Sequence, residues 1–147
     1  TEENHNTEIV ISETVIEKLD GNYDAFIVEM GAYRMGEIKR VCEVVKPQIG
    51  ILTSVNEQHL SMFGSMENIL SAKYELIESL PKSGLAIFNG ENDRTRTLYE
   101  KTTFPKRLYS LRTFSVRDPP DIASEKIEFT KDRKMRFYVK TGNNKKT

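Results

Sequence analysis

The chain reads as α/β: an open, mostly parallel sheet with flanking helices, followed by a C-terminal antiparallel hairpin. Two observations predict this. From residue 8 to about residue 101 the apolar residues switch between helical spacing and short, almost continuous runs, in the order helix, strand, helix, strand, helix, strand, helix. Strands separated by helices are the pattern of a parallel sheet with right-handed crossovers. After the breaker that ends at residue 121 the pattern changes to alternating apolar and polar residues on either side of a short polar turn, as in a hairpin with one face in water.

The elements follow in chain order. Ile9, Val15, Ile16 and Leu19 predict a helix over residues 8–19, ended by the turn "DGNYD". "AFIVEM", residues 25–30, predicts a buried strand because its apolar and β-branched run is nearly unbroken. Ile38, Val41, Cys42 and Val45 recur at helical spacing over residues 34–46, and Pro47 stops that helix. "IGILTSV", residues 49–55, predicts a second buried strand, and residues 66–80 a helix with Ser65 as its N-cap. "GLAIFN", residues 84–89, predicts the third strand. A helix to about Lys101 and a short strand at "RLYSL" complete the layer before the breaker "RDPPD". "KIEFT" and "MRFYVKT" around "KDRK" predict the hairpin, residues 122–141, and "GNNKKT" a frayed end or linker stub.

At 147 residues the chain is expected to be one domain, 1–147, with the hairpin as an appended edge. It starts at Thr1 without a preceding strand, which suggests a piece of a longer protein, a partial domain. Twenty-two basic residues balance 22 acidic ones, so no net field argues for nucleic acid or for an anionic membrane surface. No apolar run approaches the ~20 residues of a membrane-spanning helix, and "TEENHNTE" has no hydrophobic signal core. The single cysteine, Cys42, forms no internal disulfide and sits in a helical apolar pattern; it reads as packing in a reducing, cytoplasmic setting.

In open parallel sheets ligands gather beyond the carboxyl ends of the strands. Glu29 closes the first predicted strand, Thr53 to Asn56 the second and Asn89 the third. A carboxylate at a buried strand end needs a cation or a donor. A divalent metal would satisfy Glu29, and so would a helix N-terminus or a pair with Lys39 or Arg40. His59 follows the second strand within a few residues and is expected on the same rim, whereas Lys73, with Ser71, Tyr74 and Glu75, reads by itself as a solvated helix face.

Taken together, "EMGA", "GEI", "NEQHLSMFGS", "AKYEL" and "FNGEND" resemble the central, ATP-binding domain of the Mur ligases, most of all members that add D-alanyl-D-alanine to a UDP-N-acetylmuramoyl-tripeptide. The resemblance runs from about Asn4 through the hairpin. It implies that Glu29 is a magnesium ligand, His59 a metal-associated histidine, and Lys73 a lysine carbamylated by carbon dioxide into a further anionic ligand. It implies nucleotide contacts for Asn89 and Glu91 and places Asn4, Asn6 and Thr7 near substrate. The cofactors implied are ATP and Mg2+, and the partners of a complete enzyme are UDP-MurNAc-peptide and D-Ala-D-Ala, with no nucleic acid and no membrane.

The chain departs from the family pattern in three places. It contains no "GxxGKT" phosphate loop, Val10 stands where glycine is usual after the asparagine segment, and "NGEND" replaces an asparagine followed two residues later by aspartate. With the phosphate loop and the flanking N- and C-terminal domains outside these residues, the isolated polypeptide is expected to be inactive. Two rival readings are a degenerate, non-catalytic module that binds a nucleotide or a protein, and another amide-forming ligase of the folylpolyglutamate or cyanophycin type.

Overall fold

The computed structural model describes residues 6–57, 59–110, 120–130, 132 and 134–141, with the side chains of 125 and 126 left aside. Its elements are α1 (Glu8–Lys18), α2 (Glu37–Val45), β1 (Ile49–Leu52), α3 (Leu60–Phe63), α4 (Met66–Glu78), β2 (Leu85–Asn89), α5 (Asp93–Lys101), β3 (Lys106–Ser110), β4 (Ile122–Phe129) and β5 (Met135–Thr141). The strands form one sheet in the order β1-β2-β3-β4-β5. β3 lies parallel to both β2 and β4, and β5 runs antiparallel to β4. The α/β class, the mostly parallel sheet and the hairpin are therefore all present. Two compact units divide the chain: residues 1–50 with 55–84, and residues 51–54 with 85–147.

The first unit is helical. α2 packs against α1 and α4, and Ile11, Ile38, Val41, Cys42, Phe63, Ile69, Ala72 and Ile77 are buried in it. Cys42 touches the Met30 sulfur at 3.9 Å, and burial pushes its thiol upward, as befits a packing residue. α4 begins where Ser65 Oγ accepts from the Asn68 amide at 3.1 Å, the N-cap expected from the sequence. α2 begins later than its apolar spacing suggests, because Glu37 folds back to accept from the amides of Tyr33 (2.7 Å) and Arg34 (3.1 Å). Those two residues are thereby held in a turn.

The helix expected over residues 8–19 is present as α1, with Ile9 and Ile16 71% and 81% exposed and Ile11 its buried residue. Ile9 and Ile11 are two residues apart, about 200° around a helix, so the apolar pair at i, i+7 and the buried contact lie on opposite faces. One expectation for this unit needs correction: residues 25–30 form no strand. They alternate instead, with Phe26, Val28 and Met30 turned partly inward and Ala25, Ile27 and Glu29 exposed, Ile27 at 85%. A strand is made by its neighbour, and among the described residues none runs beside this segment. β1 is likewise shorter than the predicted run, and its outward residues Ile49 and Ile51 are exposed, as an edge position allows.

The second unit is the sheet. β2 pairs with β3 in the register Ala86↔Lys106 to Asn89↔Tyr109, and Ala86, Phe88 and Leu108 are buried. Phe88 meets the Tyr99 ring of α5 edge to face, with centroids 5.7 Å apart. Lys106 closes the C-terminal end of α5 by donating to the carbonyls of Tyr99 (2.6 Å) and Thr102 (2.9 Å), where the helix dipole favours a cation. The β4–β5 ladder shifts register between Glu125 and Glu128, and every residue of β5 is exposed.

Candidate functional site

Pairwise links connect four segments of the first unit: Lys73 of α4 senses Glu29, the Glu29 segment adjoins Asn6 through Gly31, and Tyr33 meets His59. The buried face of α4 is apolar, with Ile69, Ala72 and Ile77, and Lys73 follows Ala72 directly, so its stem is half-buried. Burial lowers the Lys73 amine below the ordinary lysine value of 10.5, and the nearby charge of Glu29 only partly opposes this. The two residues expected as an anionic pair around a cation are thus brought within electrostatic reach. A lowered amine has a larger neutral fraction at a given pH, and only the neutral amine adds to carbon dioxide.

Glu29 is exposed at the end of its extended segment. Two residues on, the Gly31 amide donates to the Asn6 carbonyl at 3.0 Å, and a β-carbon at Gly31 would lie 3.0 Å from Asn6 Cγ. Glycine there lets the Asn6 side chain lie over the backbone beside Glu29. Thr7 is the N-cap of α1 without a side-chain capping bond. Asn6 and Thr7 therefore adjoin the Glu29 segment, while Asn4 lies outside the described residues.

His59 is exposed, in the left-handed region at φ 61°, and precedes α3 as its N-cap. Its ring meets Tyr33, four residues after Glu29, at 4.7 Å between centroids. Glu29 and Lys73 are thus joined by their charges, and His59 is joined to the same stretch of chain through Tyr33.

Glu75 was expected on a solvated helix face and is instead 8% exposed. Its two carboxylate oxygens accept from the amides of Gly36 (2.6 Å) and Lys39 (3.0 Å), so a side chain of α4 caps the N-terminus of α2. The period of α4 carried the signal, since Glu75 falls three residues after the buried Ala72.

In the second unit, Asn89 braces its own surroundings. Its Nδ2 donates to the Thr53 carbonyl at 2.7 Å, and its Oδ1 accepts from the Glu91 amide at 2.9 Å. The Glu91 carboxylate in turn accepts from the Ser110 hydroxyl. Both residues close the carboxyl end of the sheet, and Asn92 then caps α5 by accepting from Thr95 at 3.1 Å.

Among the described residues no three His, Cys, Asp or Glu side chains converge as cation ligands. A carbamate on Lys73 would add an anionic oxygen donor to Glu29 and His59. The donor set therefore fits a hard divalent cation only with Lys73 modified.

This arrangement belongs to a known class of domain: the chain matches the Mur ligase middle domain over residues 1–146 and is a member of that family. Among individual proteins, it is 37% identical over 92 residues to the UDP-N-acetylmuramoyl-tripeptide--D-alanyl-D-alanine ligase of Synechocystis sp., covering 63% of this chain and 20% of the relative. It is 32% identical over 90 residues to the ligase of the same name from Escherichia coli, covering 61% of this chain and 20% of the relative. The chain thus spans about a fifth of the length of these curated relatives. MurF from Acinetobacter baumannii superposes on 94% of this chain and 29% of its own with a TM-score of 0.77 at 22% identity. MurF from Thermotoga maritima, solved in complex with ADP, covers 78% of this chain and 27% of its own with a TM-score of 0.58 at 19% identity. These solved structures agree with the α/β fold.

Among the described residues no helix is long and apolar enough to cross a membrane.

Proposed function

We propose that this chain is the central part of an ATP-dependent, amide-forming ligase of peptidoglycan precursor synthesis, acting in the cytoplasm. The reaction is transfer of the γ-phosphoryl group of ATP to a carboxylate of a UDP-MurNAc-peptide, giving an acyl phosphate and ADP. The amine of D-Ala-D-Ala then attacks the acyl carbon, an amide forms, and phosphate leaves. Family membership and the names of the relatives support the class. The single observation that carries the site is Lys73, desolvated on α4 within the field of Glu29.

In this reading Glu29, His59 and carbamylated Lys73 would hold Mg2+, which when bound neutralises charge building on the phosphate oxygens. Lys73 contributes only after its neutral amine has added to carbon dioxide and lost a proton. α4 prepares that step by burying the lysine stem. Asn6 and Thr7 stand beside the Glu29 segment, where substrate is expected, and Asn4 shares that role by resemblance. Asn89 and Glu91 shape the sheet end at which a nucleotide is expected. Since the side-chain amide of Asn89 ties the Thr53 carbonyl to the Glu91 amide, we assign it to holding that rim in shape for the base.

No phosphate loop occurs in these residues, so ligation requires the flanking parts of a complete enzyme. The test is carbon-13 NMR of the chain in labelled bicarbonate. A carbamate resonance that disappears in Lys73→Ala supports the ligase reading. No carbamate on the unsubstituted chain, at a pH where its lysines react with other reagents, favours the non-catalytic module.

A further inference from the structure

Tyr33 lies at the start of the turn that joins the Glu29 segment to α2, and this turn is pinned at both ends. The Tyr33 amide donates to Glu37 Oε2 at 2.7 Å, the same oxygen accepts from Arg34 at 3.1 Å, and the Gly36 amide donates to the buried carboxylate of Glu75 at 2.6 Å. The backbone that carries the Tyr33 ring is therefore fixed relative to α4.

The ring reaches His59, with centroids 4.7 Å apart and planes at 67°. The main chain of His59 is itself set: φ is 61°, a region that residues other than glycine seldom adopt, and its carbonyl accepts from the amides of Met62 (2.8 Å) and Phe63 (3.1 Å). A fixed backbone leaves the two side-chain torsions of an exposed histidine still to be settled, and an edge-to-face ring contact settles them.

We propose that Tyr33 is a positioning residue: its ring holds the His59 imidazole in one orientation beside the Glu29 segment, so that the ring nitrogen meets a divalent cation without first being ordered. The proposal rests on the reading of His59 as a cation-side residue. A ligand already held in its bound orientation loses less rotamer freedom on binding. The backbone of Tyr33 serves the turn whatever its side chain is. The ring alone serves His59, and substitution separates the two.

The experiment is proton NMR of the full chain in bicarbonate buffer, following the His59 ring protons while Mn2+ is added, for the unsubstituted chain, Tyr33→Leu and Tyr33→Phe. In Tyr33→Leu the ring-current shift of His59 is expected to vanish and the apparent Mn2+ affinity read at His59 to fall about fivefold, the scale of one aromatic pair. Tyr33→Phe, which keeps the ring, is expected to retain both.

Three results would overturn the proposal: unchanged His59 shifts in Tyr33→Leu, altered shifts with unchanged Mn2+ affinity, or Tyr33→Phe as weak as Tyr33→Leu. If the unsubstituted chain shows the ring-current shift but Mn2+ leaves His59 unaffected, the cation reading of His59 itself falls, and the role given to Tyr33 falls with it. Unchanged amide spectra of α2 and α4 in each variant identify the effect as local.

Discussion

α4 and the β4–β5 hairpin carry similar residues and put them to different use. Both mix apolar positions with lysine and glutamate. In α4 the apolar side is buried, and the charged residues between its turns are drawn partly out of water: Lys73 is lowered by burial, and Glu75 is committed to two amides of α2. Along β5 every residue is exposed, Met135, Phe137 and Val139 included. Lys134, at the hairpin turn, meets Asp132 at 2.9 Å in the open, where such a pair contributes little. The difference lies in desolvation rather than in residue type. A lysine becomes a reactive amine where the fold removes its water.

The largest effect that sharpens this contrast is at Glu75. Glu75→Ala leaves two amides at the start of α2 without their acceptor and is expected to destabilise the chain by about 2–3 kcal/mol. Urea unfolding followed by circular dichroism measures it. A loss below about 0.5 kcal/mol, the range of an ordinary surface change, would mean that water replaces the carboxylate and that α4 does not organise the turn.

The smallest expected effect is in the hairpin. Phe129→Ser removes a large apolar side chain that is 80% exposed and is expected to change stability by no more than about 0.5 kcal/mol in the same assay. A loss above about 2 kcal/mol, the scale of a buried phenylalanine, would show that the hairpin face is covered in solution and would erase the contrast with α4.

The same contrast explains how much of the molecule was legible beforehand. β2, α4 with its Ser65 cap, and the hairpin over 122–141 are set by local signals: β-branched runs, a capping hydroxyl and period-two alternation. Cys42 was readable as core for the same reason. Residues 25–30 were misread because a strand depends on a partner that its own residues do not encode. α1 stands where its spacing puts it, and only packing shows that Ile11 rather than Ile9 or Ile16 is its buried residue. Glu29, His59 and Lys73 were singled out through motif resemblance more than through their individual chemistry. Its spacing from Ala72 puts Glu75 toward the buried side of α4, but nothing in the residue itself names its partner. Its role appears only when the N-terminus of α2, 36 to 39 residues away in the chain, is packed against it.

Lysine labelling reads the desolvation of Lys73 by the fold most directly. The chain is treated with acetic anhydride across a pH series, with a free lysine derivative in the same tube as reference, and modification of Lys73 is read by peptide mass spectrometry. Because burial lowers the folded-state pKa below the ordinary 10.5, the unfolded chain holds this proton more tightly than the folded one. Across the window between the lowered value and 10.5, stability should therefore rise with pH, and the neutral amine should appear earlier than in the reference. The Lys73 labelling curve is expected at lower pH than that of the free lysine, and restored to it in urea. A curve that coincides with the reference in the folded chain, or lies above it, would mean that the fold leaves Lys73 in water.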